Sequence, residues 1–309
     1  MWPLRSLLFI PAHKTDWVQR VGRFKPDAVV LDLEDAVPHA MKREARALCR
    51  DSIGLLKAQS IPAFVRINSW DQGGQDDVLA VATAGFSGVM LPKAHTVGQI
   101  RELDIALAYV EGREGLTLGS VAIMPLPETA QGLADARDLV AASQRCRSLV
   151  GVAGGALEGD VARAMGFRPT LEGREQLYLA SKMVLDARAG GAQWPMASVM
   201  GVAIDDLAAV RALALSAKAI GFSGAVLIHP SHVAVANEVF APTPEEVEYN
   251  AGLVAAMKVA ESNGDAAIRY RGAMVDYAML PRAHQVLRDA ERFGISPAPQ
   301  PDAPHAASR

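Results

Sequence analysis

The feature that most limits the possible folds is an alternation of eight short apolar runs with longer amphipathic segments. The runs cover residues 6–12, 28–35, 63–69, 88–94, 120–129, 148–156, 196–200 and 224–230. Most centre on consecutive apolar or β-branched residues, which is typical of strands covered on both faces. The segments between them, such as 41–58, have charges on one side and apolar residues on the other, as amphipathic helices do. Eight strand–helix units in succession predict a closed (β/α)₈ TIM barrel, with a doubly wound open sheet as the competing fold.

The repeat stops after the eighth run. We therefore expect a barrel domain over residues 1–235, a helical extension over 236–295 and a disordered, proline-rich tail over 296–309. In the extension, Thr243 and Pro244 predict the start of a long helix that ends near residue 262, and a last helix is expected over 281–293. The extension has too little apolar material for a core of its own, so we expect it to pack on the barrel or on a neighbouring subunit.

The composition excludes several classes of protein. Half of the 309 residues are hydrophobic, which is enough for a large core, and 31 basic against 34 acidic residues give a net charge of −3 and no basic surface for nucleic acid. No apolar run reaches the roughly 18–20 residues of a membrane span. Cys49 and Cys146 cannot form a disulfide framework, and we interpret them as structural or incidental. A soluble cytoplasmic protein is expected.

Charged residues collect where the predicted strands end. In barrel enzymes the chemistry lies at the carboxyl ends of the strands, and barrel packing alone gives no reason for a ring of charge there. Arg5, which precedes the first strand, is the exception. The residues at the carboxyl ends are Asp32, Glu34, Asp35, Arg66, Asn68, Lys93, Glu128, Glu158, Asp160 and His229.

These residue types suit a metal-stabilised enolate. Proteins hold Mg²⁺ with one or two carboxylates and leave other positions to water or substrate oxygens. Glu128 and Asp160 follow adjacent predicted strands, so their side chains can converge on one ion. Arg66 offers a planar fork for a carboxylate or a developing enolate oxygen, and Lys93 offers a second positive charge. A metal and a cation aimed at one carbonyl ease the making or breaking of an adjacent bond.

A purely structural interpretation stays open for most of these residues. The three acids after the second strand could cap the next helix and pair with Arg5 or Arg66, and Lys93 could be another of their ion-pair partners. His229 precedes a proline and could simply form hydrogen bonds at a strand end. Glu128 lies between a proline and a threonine and has no obvious partner, so for this residue we favour a functional interpretation.

Several ordered motifs resemble one known family. They read RSLLFIPA, AVVLDLEDAVP, VRIN, VMLPKA, PLPETAQGL, GFSGAVLIHPSH, FAPTPEEVE and GAMVD, and they extend from Arg5 to about Arg288. This series resembles the citrate lyase β-subunit-like proteins of the HpcH/HpaI aldolase superfamily, a group that includes malyl-CoA and citramalyl-CoA lyases and malyl-CoA thioesterases. The resemblance implies a (β/α)₈ barrel that uses Mg²⁺ to cleave or form a C–C bond in a 3-hydroxyacyl-CoA thioester. It also implies a homotrimer or hexamer.

The resemblance implies a metal site in particular. Glu128 in PLPET is similar to the family's first metal carboxylate. The second is usually an aspartate six residues before a glycine, a position that Asp160 holds relative to Gly166, with Glu158 as the fallback. Asp32, Glu34 and Asp35 would then be supporting residues around the site.

Four further roles follow from the same resemblance. Arg66 is similar to the arginine that grips the oxoacid or enolate, so it counts as both catalytic and substrate-binding. Lys93 and Arg5 are similar to ligands of acid and phosphate groups. Asp276 in GAMVD is similar to an aspartate that serves as general acid and base in a neighbouring subunit's active site, although sequence reasoning alone would make it a surface residue.

The chain also departs from the family pattern. Ala273 and Leu171 stand where the family has a lysine and an arginine, to which the resemblance assigns the neutralisation of CoA phosphates, and Ala12 stands where the family has a glycine. The strand-six motif has extra residues, GGALEGD. The resemblance as a whole makes a lyase for a thioester such as malyl- or citramalyl-CoA the leading hypothesis. The alternatives are a malyl-CoA thioesterase, a metal-dependent aldolase for free 2-oxo or hydroxy acids, and a non-catalytic assembly subunit.

Overall fold

Eight parallel strands form the central sheet of the computed structural model, which describes residues 1–298. They run in the spatial order β5-β4-β3-β2-β1-β8-β7-β6. Each lies within or next to one of the eight predicted runs, so the predicted strand repeat is confirmed. Their bounds are β1 Ser6–Pro11, β2 Ala28–Asp32, β3 Ala63–Arg66, β4 Phe86–Pro92, β5 Ala122–Leu126, β6 Val150–Val152, β7 Met196–Ser198 and β8 Gly224–Leu227.

Helices connect successive strands, as the amphipathic segments predict. They are α1 Thr15–Arg20, α2 Lys42–Ala58, α3 Gly74–Val81, α4 Val97–Glu114, α5 Ala130–Ala134, α6 Ala136–Ala141, α7 Asp160–Met165, α8 Leu177–Gly190, α9 Leu207–Ile220 and α10 His232–Val239. Short 3₁₀ turns cover Val21–Phe24, His39–Met41 and Trp70–Gln72. No helix within residues 1–298 is long and apolar enough to cross a bilayer.

The sheet is nearly closed as a barrel, and its one weak seam lies between β5 and β6. There the described chain forms a single parallel bridge between Ile123 and Cys146, where the N–H of Ile123 donates to the carbonyl of Arg145 at 2.9 Å. This bridge lies before β6 begins, toward the amino ends of the strands. At the carboxyl ends, β5 and β6 are free to separate and leave space between them.

Two apolar layers hold the barrel together. The larger one joins the outward-facing strand residues to the helices. The smaller one fills the barrel interior and includes Val30, Phe64, Met90 and Met124. Gly88 makes this filling possible, because a Cβ there would lie 2.4 Å from the Phe64 ring. Strand residues alternate between the two layers, so a residue two positions beyond an interior residue also faces the interior.

Within the described residues, 241–298 form a second compact unit. Its elements are α11 Pro244–Ser262, β9 Ala267–Tyr270, β10 Ala273–Asp276, a 3₁₀ turn Tyr277–Met279 and α12 Leu280–Phe293. Both helices predicted for the extension are present. Thr243 begins α11 with a capping box, in which its hydroxyl accepts from the N–H of Glu246 and the Glu246 carboxylate accepts from the N–H of Thr243.

The expectation that the extension has too little apolar material for a core is wrong, because this unit has a small apolar core of its own. Leu253, Met257, Val275 and Ala283 are buried together in it. The antiparallel hairpin β9–β10 was also not predicted.

The predicted boundary at residue 235 falls inside α10, and the first unit ends at Phe240. The proposed tail lies outside the described residues except for 296–298, where the N–H of Ala298 donates to the carbonyl of Pro244 at 2.9 Å.

Candidate active site

Asp32 and Arg66 stand side by side at the carboxyl end of the barrel interior. Each follows an interior residue by two positions, Val30 in β2 and Phe64 in β3, so strand alternation turns both inward. The register of the two strands pairs Asp32 directly with Arg66. The Arg66 guanidinium also lies 4.8 Å from the centre of the Phe9 ring. The strand pattern therefore places an ion pair at the carboxyl end of the apolar side chains that fill the barrel interior.

Arg66 is held by two carboxylates. Its Nε and Nη2 donate to the two carboxylate oxygens of Asp32 at 2.7 and 2.5 Å, a bidentate pair, and its Nη1 lies 3.1 Å from Oε2 of Glu34. Asp32 also caps the turn that follows β2, because it accepts from the N–H groups of Glu34 and Ala36. The guanidinium is therefore fixed in orientation while two of its five N–H groups stay available to a ligand.

Lys93 links the Asp32–Arg66 pair to Asp160. The cluster, as the term is used below, consists of Asp32, Glu34, Arg66, Lys93, Glu128 and Asp160. The Lys93 ammonium donates to Oε1 of Glu34 at 2.6 Å and lies 3.6 Å from Oδ2 of Asp160. Its backbone has a φ of +51°, a left-handed conformation that is unfavourable for a residue with a side chain. In this conformation the N–H of Lys93 donates to Oε2 of Glu128 at 3.2 Å, and its carbonyl accepts from Nδ1 of His95 at 2.7 Å. Such local strain is common at functional sites.

The cluster has more acidic than basic groups, so a bound cation would stabilise it electrostatically. Burial, together with the nearby charge of Glu34, raises the pKa of Glu128 to about 7. Burial also raises the pKa of Glu34, although Arg66 and Lys93 partly offset it. Burial would lower the pKa of Arg66, but its hydrogen bond and charge interaction with Asp32 outweigh this and raise it. The cations are thus well compensated, whereas Glu128 is not.

Asp160 completes the cluster from the first turn of α7. It is largely buried, and it pairs with Arg163 one turn along the helix as well as with Lys93. The Arg163 side chain is 74% exposed, and such surface pairs contribute little to stability. Asp160 and Glu128 line the same cavity, of about 110 Å³, at the open seam between β5 and β6. The two predicted metal ligands therefore face a common space.

The residues present fit a divalent cation. Asp32, Glu34, Glu128 and Asp160 have four potential negative charges, against two positive charges on the buried side of the cluster. Within the described chain the Glu128 carboxylate accepts one hydrogen bond, from a backbone N–H, which leaves most of its lone pairs unused. Residues 1–298 contain no group of three or more His, Cys, Asp or Glu side chains arranged around one metal position. A Mg²⁺ site here would be a two-carboxylate site completed by water and substrate oxygens.

Other predicted residues lie apart from this cluster. Arg5 is at the amino end of β1, where it forms a bidentate pair with Asp27 at 2.7 and 3.0 Å, so its position does not support a role in binding the substrate acid.

Glu158 is exposed and does not line the cavity, which favours Asp160 over this fallback. Asp35 is also exposed, although its charge contributes to raising the pKa of Glu34. His229 contacts the hydroxyl of Ser231 at 2.6 Å.

Asp276 belongs to the second unit. It ends β10, and its Oδ1 accepts from the N–H of Ala278 at 2.9 Å, which caps the following 3₁₀ turn. The predicted role in a neighbouring subunit's active site therefore stays a proposal. Cys49 and Cys146 are both buried, and burial raises the pKa of the Cys146 thiol to about 12.

One supporting residue gave no signal in the sequence. The Lys42 ammonium donates to the carbonyls of Leu33 and Glu34 and to Oδ1 of Asn68, all within 2.7 Å. It thereby holds the chain after β2 against the chain after β3. Lysines at the start of amphipathic helices are common, and its partners come from two separate loops, so no local pattern reveals this role.

A nearly closed barrel with a carboxylate-rich site at the carboxyl ends of its strands defines the class of the protein. Residues 5–230 match the family described as HpcH/HpaI aldolase/citrate lyase, which is well over half of the chain. The chain therefore belongs to the HpcH/HpaI aldolase/citrate lyase family. This confirms the resemblance seen in the motifs.

Individual relatives extend the likeness along nearly the whole chain. A citrate lyase subunit beta-like protein of Deinococcus radiodurans is 32% identical over 288 residues, which cover 92% of this chain and 96% of the relative. A (3S)-malyl-CoA thioesterase of Cereibacter sphaeroides is 30% identical over 292 residues, or 94% and 95% of the two chains. The crystal structure of CitE from Mycobacterium tuberculosis in complex with magnesium, acetoacetate and coenzyme A matches with a TM-score of 0.71 at 28% identity and covers 93% of this chain and 97% of that one.

Proposed function

We propose that this protein is a Mg²⁺-dependent carbon–carbon lyase that splits a 3-hydroxyacyl-CoA thioester, such as malyl- or citramalyl-CoA, into an acyl-CoA and a 2-oxo acid. The observation that carries the proposal is the Glu128 carboxylate. It faces the same cavity as Asp160, accepts one hydrogen bond within the described chain and has a pKa raised to about 7. Family membership supports the reaction class. The magnesium and coenzyme A bound by the mycobacterial relative support Mg²⁺ as the cofactor and a CoA thioester as the substrate.

Glu128 and Asp160 would hold the ion. When bound, Mg²⁺ supplies Lewis acidity that polarises the carbonyl of the oxoacid. Arg66 would bind the carboxylate of the oxoacid part or the developing negative charge with the N–H groups that Asp32 and Glu34 leave available. Because the guanidinium is already oriented, it needs little rearrangement when charge develops, which is the condition for effective electrostatic catalysis.

Cleavage breaks the bond between C2 and C3 of the thioester. The 3-hydroxyl gives its proton to solvent water and becomes the carbonyl of the oxoacid, while the electron pair of the broken bond passes to the thioester as an enolate, which takes up one proton in return. A proton delivered to C2 then gives the acyl-CoA. Following the family resemblance, we assign the delivery of this proton to Asp276 of a neighbouring chain. The same resemblance leads us to propose a homotrimer or hexamer and a cytoplasmic location.

The test is a panel of malyl-, citramalyl- and citryl-CoA incubated with the purified protein, with and without Mg²⁺, and analysed by mass spectrometry. The proposal predicts an acyl-CoA plus an oxoacid, formed only with Mg²⁺ and lost in Glu128→Gln. Free CoA plus the intact hydroxy acid would identify a thioesterase instead, which is the activity in the name of the Cereibacter relative. Turnover of free hydroxy acids alone would indicate an aldolase, and no turnover with any of them would favour a non-catalytic subunit.

A further inference from the structure

The ammonium of Lys42 is saturated by three neutral oxygen acceptors. It donates to the carbonyls of Leu33 and Glu34, each at 2.6 Å, and to Oδ1 of Asn68 at 2.7 Å. An ammonium has three N–H groups, so these bonds leave none for a substrate oxygen. Lys42 with its three acceptors therefore forms a tether between the loop after β2 and the loop after β3, and does not itself bind a ligand.

The tether is braced by the helices outside the barrel. The backbone N–H and the Nδ2 of Asn68 both donate to Oδ2 of Asp77 in α3, at 2.7 Å each. The Asp77 carboxylate is fully buried, and its Oδ1 accepts from Nε of Arg46 in α2 at 2.6 Å. Because the amide nitrogen of Asn68 is committed to Asp77, its amide oxygen is the atom directed at Lys42. The backbone of Glu34 is thus linked through the tether to two helices.

The Glu34 carboxylate needs this support because its own hydrogen bonds do not fix it. Glu34 is only 5% exposed, and within residues 1–298 its Oε2 accepts no hydrogen bond, although Nη1 of Arg66 lies 3.1 Å away. Its Oε1 accepts from the ammonium of Lys93, which is at the end of a long, flexible side chain. The position of the carboxylate is therefore set mainly by the backbone that Lys42 holds.

The position of Glu34 determines which acid Lys93 pairs with. The Lys93 ammonium is 2.6 Å from Oε1 of Glu34 and 3.6 Å from Oδ2 of Asp160. An ammonium that moved closer to Asp160 would compete with a metal ion for the same carboxylate. By holding Lys93, Glu34 keeps Asp160 available.

We propose that Lys42 is a positioning residue for the metal site, which fixes Glu34 so that Glu34 holds Lys93 away from Asp160. The inference rests on the proposed function for the placement of the ion. Direct electrostatics predicts the opposite effect of losing Lys42, because removal of a positive charge near the site favours a bound cation. Weaker ion binding after the loss of Lys42 therefore identifies positioning.

Mn²⁺ binding measured by electron paramagnetic resonance tests this without requiring turnover. Lys42→Met is expected to weaken Mn²⁺ binding by about tenfold, the usual effect of losing a group that supports metal ligands. The matched control is Arg43→Met, which removes the same charge from the next, exposed position of α2 but none of the three hydrogen bonds of the tether. Arg43→Met is expected to bind Mn²⁺ as tightly as the wild type or slightly more tightly.

A second variant separates positioning from general disruption of the site. In Lys93→Met no ammonium can move to Asp160, so adding Lys42→Met to it is expected to change Mn²⁺ affinity by less than about twofold. If Lys42→Met does not fold, Lys42→Gln retains an amide donor for the tether and is expected to show a smaller weakening that Lys93→Met likewise removes.

Three results would overturn the inference. Unchanged or tighter Mn²⁺ binding in a Lys42 variant with the wild-type circular dichroism spectrum would do so, and so would equal weakening with and without Lys93. In both cases the wild type still binds the ion, so the proposed function stands. A wild type that binds no Mn²⁺ would overturn the inference and the proposed function together.

Discussion

Glu111 and Glu128 are two glutamates at opposite ends of the same barrel, and their surroundings shift their pKa values in opposite directions. Glu111, fully buried at the amino end, accepts from both Nη atoms of Arg145 at 2.7 Å and from the N–H groups of Gly119 and Val121 at 2.8 Å. Burial would raise its pKa, but Arg145 and the backbone donors outweigh burial and lower it. Glu128 has one backbone donor, and its pKa rises to about 7.

The difference shows what each end of the barrel does. Four donors make the Glu111 carboxylate a closed structural element that ties the last turn of α4 to the chain before β5. At the other end the acids of the cluster outnumber its buried cations, so the charge is incomplete without a ligand. Buried carboxylates that keep unused acceptor capacity in a cavity are candidates for function, whereas fully hydrogen-bonded ones serve stability.

The largest effect is expected for Glu128→Ala. It should reduce Mg²⁺-dependent turnover by about a thousandfold or more, because it removes a metal ligand at the site of charge development. The midpoint of thermal unfolding should stay close to that of the wild type, because the carboxylate accepts one hydrogen bond within the described chain and its charge is poorly compensated. Steady-state kinetics and a melting curve check both parts. Activity near the wild-type level would sink the assignment of Glu128 to the metal site.

Glu111→Ala should show the reverse pattern. Loss of the carboxylate leaves Arg145 with a single acidic partner, Asp104, in a buried position, and breaking such a pair costs about 3–5 kcal/mol in free energy of unfolding. Urea denaturation measures this loss, while turnover per folded molecule should stay within about twofold of the wild type. A stable Glu111→Ala protein with impaired catalysis would erase the distinction between the two ends.

Arg66→Lys sharpens the comparison on the cation side. Lysine retains the charge but loses the planar fork that Asp32 orients, so kcat is expected to fall by about a hundredfold. Arg20→Lys, at an exposed pair with Asp16, serves as the matched control and should have wild-type kinetics. If both variants keep full activity, Arg66 serves only as an ion-pair partner of Asp32, the structural interpretation that its sequence leaves open.

The smallest effect concerns acid stability. The pKa of Glu111 is lower in the folded protein than its ordinary value of 4.5, so its contribution to stability is complete above about pH 4.5 and is lost as the pH falls through the lowered pKa. Glu111→Gln should therefore be less stable than the wild type at pH 7, and the gap should narrow below about pH 4.5. Urea denaturation at pH 7, 5, 4 and 3 measures the gap, and a gap that widens toward acid would have the wrong sign.

Much of the fold could be predicted because its signals are local and repeated. Each of the eight strands is an apolar run, and Thr243, Pro244 and Glu246 mark the start of α11 within a few residues. The β9–β10 hairpin has weaker signals. Its two turn residues, Arg271 and Gly272, both have positive φ, and the arginine replaces the asparagine or aspartate that usually marks such a turn.

The candidate site was predictable where one strand end carries one charged residue, and less so where the partner comes from elsewhere. Sequence order places Asp32 and Arg66 at the ends of consecutive strands, so their pairing follows from register. It cannot show that Arg5 pairs with Asp27 at the other end of the strands, or that Lys42 joins two loops. These outcomes depend on side-chain packing between distant segments.

Mg²⁺ binding by the wild type and by Glu128→Gln tests the central claim most directly. Isothermal titration with Mg²⁺ in the presence of pyruvate, supported by electron paramagnetic resonance with Mn²⁺ as a substitute ion, should show one site per chain in the wild type. Asp160→Asn and Glu128→Gln should each weaken this site by at least about tenfold, while Glu111→Gln leaves it unchanged. Equal affinity in all four proteins would contradict the account, because the divalent ion would then be held by other residues or not held at all.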